Sequence, residues 1–68
     1  MTPVMSLGEL QGRLLVFCAS TPHFVRAQAS TTLHMSAVLA SRSSILNPAA
    51  IAEGVQLLNR LLYRLMDL

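Results

Sequence analysis

The sequence predicts an all-α fold: a small three-helix bundle, or a helical hairpin plus a short N-terminal helix, completed by dimerisation or by docking on a partner. Three observations carry this. Apolar residues recur at helical spacing in three stretches, each stretch opens on a helix-start signal (Ser6, Thr21, Asn47), and the best strand candidate, Leu14-Leu15-Val16-Phe17, has no hairpin partner. The predicted helices cover about 6–19, 22–43 and 48–67 of a single 68-residue domain.

The first helix opens on Ser6 with Glu9 three residues on, the S-x-x-E capping box that satisfies orphan backbone donors at a helix start. Met5 before the cap and Leu10 after it suit a hydrophobic staple. Leu7, Leu10, Leu14, Phe17 and Cys18 then share one face. Gly12 lowers intrinsic helix stability by about 1 kcal/mol relative to alanine, so tertiary contacts must hold this element. The second helix starts on Thr21 as N-cap and Pro22 at the first helical position. Its bulky face is Phe24, Thr31, Met35, Val38 and Leu39; its small face is Ala29, Leu33, Ser36, Ala37 and Ala40. No charge stands between Arg26 and Arg42, which predicts an element sandwiched between two others. Ser41-Arg42-Ser43-Ser44 ends it, because serines compete for backbone hydrogen bonds and arginine suits a helix C-terminus.

The third helix has the strongest signal. Asn47 is a good N-cap, Pro48 falls where its missing N–H costs nothing, and Leu46 and Ile51 can staple the start. Ile51, Val55, Leu58, Leu62 and Leu65 form a narrow seam assigned to the domain's own core. Glu53, Gln56, Asn59, Arg60, Tyr63, Arg64 and Asp67 take the polar arc. The apolar half spans about 180°, whereas contact with one core needs a stripe of about 100°. The surplus flank, Ala50, Gly54, Leu57, Leu61 and Leu68, is therefore the predicted partner surface, with Arg60 and Arg64 as its polar contacts. Ala50 and Gly54 also let another helix come close. The L-x-x-L-L match at 58–62 is the kind any leucine-rich amphipathic helix produces.

Composition sharpens the need for a partner. A chain this short hides only about 60% of its unfolded surface, and a lone core of that size supplies about 3–5 kcal/mol. Yet 53% of the residues are hydrophobic and the mean hydropathy is +0.54. An internal disulfide is excluded because Cys18 is the one cysteine. No ligand pair stands at zinc spacing, so no metal and no other cofactor is expected. The lone thiol fits a reducing compartment and a cytoplasmic location.

No stretch of about 18 apolar residues exists to span a membrane. Residues 14–25 resemble a signal-peptide core only loosely, being interrupted by Cys18, Ser20, Thr21, Pro22 and His23. The nearly acid-free first forty-five residues share the composition of organellar transit peptides, but their helix punctuation argues for structure.

For chemistry the chain offers little. Cys18 and His23 are the nearest approach to a nucleophile and base, without a third member or an anion-stabilising nest, and Cys18 lies on the apolar face of the first helix. His23 and His34 share a helix face but stand about 16 Å apart, too far for one ion. No enzyme activity is expected. All five basic residues are arginines and the formal charge is only +2, and these arginines gather into no single stripe, which disfavours nucleic acid. The leading expectation is a non-enzymatic protein–protein interaction module, such as a regulator, chaperone, inhibitor or assembly subunit, acting as a homo-oligomer or on a protein partner. The alternatives are a membrane-surface or secretion- or organelle-associated amphipathic protein, weakened by Glu53 and Asp67 on the polar arc, and a small DNA-binding regulator.

Overall fold

Two short side chains decide where helices begin. Ser6, with φ −63° and ψ 161°, accepts a hydrogen bond on its hydroxyl from the Glu9 N–H at 3.3 Å. The predicted capping box closes differently on its other side: the Glu9 carboxylate accepts from the Ser6 hydroxyl at 3.2 Å. Asn47, at φ −74° and ψ 158°, accepts from the Ala50 N–H at 2.7 Å, and Pro48 follows it at the start of the helix. The computed structural model describes residues 3–19 and 23–67. Among these the chain forms α1 (Leu7–Cys18), α2 (His23–Ser41) and α3 (Pro48–Met66), with no strand. The Thr21-Pro22 start predicted for α2 lies outside the described residues, as does Leu68. α2 stops two residues short of the predicted end because the backbone from Arg42 tightens into turns, with the Ile45 and Leu46 N–H groups both donating to the Arg42 carbonyl.

α2 packs on both other helices, and α1 also touches α3. The core comprises Leu10 and Leu14 of α1, Val25 and Ala29 of α2, and Leu58, Leu62 and Leu65 of α3. Leu7, Phe17 and Cys18 pack around it as the α1 pattern predicts, while Ile51 and Val55 of the predicted α3 seam are half-buried. α2 departs from its pattern. It buries Ala29, Thr32 and Ser36 together with Val25, and leaves Phe24, Met35 and Val38 exposed. The physical reason is space: the leucines of α1 and α3 fill the interior, and only a thin α2 face fits between them. α2 does lie between the two other helices, as its lack of charge predicts, but the side of it turned away from the core faces water.

The thin face carries its polar groups without loss. The Thr32 hydroxyl donates to the Gln28 carbonyl at 2.8 Å. The Ser36 hydroxyl donates to the Leu33 carbonyl at 2.6 Å and accepts from Gln11 Nε2 at 3.2 Å, tying α1 to α2. Among the described residues no buried side-chain polar atom lacks a partner.

Asn59 corrects the predicted polar arc of α3. It is 4% exposed, because residues 3–6 run across α3 and cover it. Its Oδ1 accepts from the Met5 N–H at 2.7 Å, and its Nδ2 donates to the carbonyls of Met5 at 3.0 Å and Val55 at 2.8 Å. One turn on, the Tyr63 hydroxyl donates to the Pro3 carbonyl at 2.9 Å. These contacts hold Met5 against the core.

Two stability predictions follow from these contacts. Asn59→Ala should cost about 1–3 kcal/mol in chemical denaturation by orphaning the Met5 backbone. Asn59→Asp should cost at least as much at neutral pH, since it turns a carboxylate towards two carbonyl oxygens. Ser36→Leu should lower stability by about 1–3 kcal/mol through overpacking, whereas Ala37→Leu, at an exposed position of the same helix, should change it little.

Candidate interaction surface

α2 packs on both other helices and still leaves one side to the solvent. The molecule measures 37 × 27 × 15 Å and so is one slab of helices rather than a rounded bundle. Its accessible surface is 4706 Å², whereas a compact monomer of 7.4 kDa is expected to show about 4,200 Å². Several large apolar side chains contribute to that surface. Phe24, Met35 and Val38 of α2, Leu46 of the connecting turn and Leu57 of α3 are all exposed. Leu15 and Val16 form a second exposed apolar pair on the outer side of α1.

The α2 side chains border two shallow grooves that meet at Met35. One, of about 580 Å³, runs between α2 and α3 and is lined by Ala27, Gln28, Thr31, Thr32 and Met35 from α2 and by Leu61, Arg64 and Leu65 from α3. The other, of about 370 Å³, continues past Met35 along His34, Val38, Leu39, Arg42 and Leu46. Met35 and Val38 are 39% and 38% exposed, so their apolar ends reach solvent while their stems rest on the domain. An unbranched thioether at the junction adapts to differently shaped partners.

The flank predicted as the partner surface divides into parts with different fates. Leu57 is exposed at 48%. Ala50 and Gly54 are half-buried, and Leu61 packs against the core while lining the larger groove. Gly54 serves an internal contact: a β-carbon there would lie 2.9 Å from Leu39 Cδ2, so α2 has already taken up the close approach that this glycine permits. Leu68 is outside the described residues. Arg60 and Arg64 are exposed; both border a further groove of about 440 Å³ beside Pro3 and Val4, with Asp67 on its rim, and Arg64 also reaches the α2–α3 groove. The L-x-x-L-L leucines are spent on the fold, with Leu58 and Leu62 buried in the core.

Sequence reasoning missed the α2 contribution. An uncharged α2 is expected to be covered by neighbours on both sides, which points to no open surface there; the small face is the available signal for the side that packs. Cys18 and His23 do border one hollow, of about 280 Å³, with Arg26 and Ser30. Cys18 is a half-buried free thiol packed against the core. Among the described residues no three His, Cys, Asp or Glu side chains come together as a metal site, and no helix is long and apolar enough to cross a membrane.

Comparison with family models, with curated proteins and with solved structures returns no match for this chain.

The Gly54–Leu39 contact makes a specific prediction. In a Leu39→Ala background, Gly54→Ala should stabilise the protein by about 1 kcal/mol, the full helix-propensity gain. With Leu39 present the gain should shrink or reverse, and a double-mutant cycle followed by thermal melting reads the difference as a coupling energy.

Proposed function

We propose that this chain is a non-enzymatic protein–protein interaction module whose contact surface is the α2 side of the α2–α3 pair. One observation carries the reading: α2 leaves Phe24, Met35 and Val38 exposed, and Met35 and Val38 border the grooves along its open side. Fully burying a side chain of the size of valine or methionine is worth about 1.5–3 kcal/mol, and Met35 and Val38, at 39% and 38% exposed, have roughly two-fifths of that left to gain. For a chain this small, covering several such side chains is a sizeable fraction of the stability of its core. Leu57 is the part of the predicted leucine flank that remains open. Small regulators, chaperones, inhibitors and assembly subunits all work this way, by lending a face rather than a reaction. A reducing compartment such as the cytoplasm suits the free Cys18 thiol.

Sedimentation at micromolar concentration, paired with binding of an apolar dye, tests the proposal. The expected result is either self-association or clear dye binding, which Val38→Glu or Leu57→Glu reduces while the helical circular dichroism and the cooperative melt persist. A cooperatively melting monomer that binds no dye would sink it.

A further inference from the structure

The apolar face has charged ends, and they all carry the same sign. Arg64 borders the far side of the larger groove and Arg42, with His34, borders the smaller one; no acidic side chain lines either. Neither guanidinium is held in an ion pair among the described residues. Between these ends the floor is uncharged, built around Thr31, Met35 and Val38. From Ala27 to Arg42 the face follows α2 for about 22 Å, the length of a helix of about 15 residues. From this we infer that the face takes an amphipathic helix whose apolar stripe is flanked at both ends by acidic residues. The inference rests on the interaction reading above and gives the partner its chemistry.

The choice of occupant follows from charge and shape. A second copy docked by the same face would bring another uncharged floor and another pair of arginines, and neither groove carries an acid to meet the first; Asp67 lines the separate groove beside Pro3 and Val4. A nucleic acid would satisfy the arginines and leave Met35 and Val38 against sugar and phosphate. An acid-flanked helix satisfies both at once: its leucines enter the paired grooves, in the helix-in-groove mode, and its carboxylates meet Arg42 and Arg64 at the rim. Rim pairs of this kind contribute mainly to partner choice and to the rate of encounter, while the apolar floor supplies affinity.

The probes are two synthetic helical peptides of about 15 residues with one leucine stripe, carrying glutamates at both ends in one and lysines in the other. Each is labelled and titrated with the full chain by fluorescence anisotropy. The glutamate peptide should bind at least about tenfold more tightly than the lysine peptide, with the advantage shrinking as salt screens the rim. Met35→Glu should abolish binding of the glutamate peptide, and the double variant Arg42→Glu/Arg64→Glu should invert the preference towards the lysine peptide with the helical content unchanged. Equal binding of both peptides would overturn the acidic partner and leave the interaction surface standing. A stable dimer that Met35→Glu dissociates would assign the face to a second copy. Binding to duplex DNA or to phosphatidylserine vesicles in preference to either peptide would likewise overturn the inference. A monomer that binds no peptide and no apolar dye would overturn the interaction reading with it.

Discussion

The thinness of the inner face of α2 is the constraint from which the rest of this structure follows. Ala29, Thr32 and Ser36 allow α2 to lie against α1 and α3 while Leu10, Leu14, Leu58, Leu62 and Leu65 fill the space between them. A helix has one circumference to distribute: with Val25, Ala29, Thr32 and Ser36 inside and Leu33 and Leu39 at the edges of the core, Phe24, Met35 and Val38 are left outside. The same choice flattens the molecule, since a thin face brings helices together side by side and leaves no interior into which Met35 and Val38 could turn. The exposed apolar strip is thus the outer half of a packing decision made inside the core.

A second constraint fixes the edge of the slab. Four residues of helix advance about 6 Å, and two residues of extended chain advance about 6.6 Å, so side chains four apart on α3 can meet alternate residues of an extended segment running along it. Asn59 and Tyr63 use this match on Met5 and Pro3. Both read backbone atoms, so the attachment depends on the course of the chain more than on its side chains. It also explains a polar residue deep in a leucine-rich helix: Asn59 exchanges hydration for three hydrogen bonds, which pair both the N–H and the carbonyl of Met5.

Much of the fold was legible because helix starts are written locally. Ser6 and Asn47 are caps whose function depends on the next three residues, and both form as read. The α1 face and the buried leucines of α3 were equally readable, since for them amphipathic period and burial agree. Two features depended on contacts between distant residues and could not be read from periodicity. The inward side of α2 was decided by how much room α1 and α3 left. The burial of Asn59 required residues 3–6 to return across α3, a contact spanning 54 positions. For the candidate surface, the sequence pointed to a surplus of apolar face and located it on the α3 flank. Gly54 and Leu61 turn instead towards the domain itself, Leu57 remains outside, and the larger part of the exposed strip belongs to α2.

Small size alone does not account for that strip. A domain short of core leaves some apolar groups in water, but it has no need to put them on a helix side where polar residues would serve the fold better. Glutamate, lysine and arginine have good helix propensity, and at exposed positions they cost nothing in packing. α2 nevertheless carries no charge from Ala27 to Ser41, and it sets β-branched threonine and valine, poorer helix formers, on its open side. On the proposed reading this composition has a direct cause. A charge in the middle of the strip would have to be desolvated on docking without a partner, whereas Met35 and Val38 gain from being covered, and arginine is tolerated only at the ends, where a partner's carboxylate or the solvent can meet it.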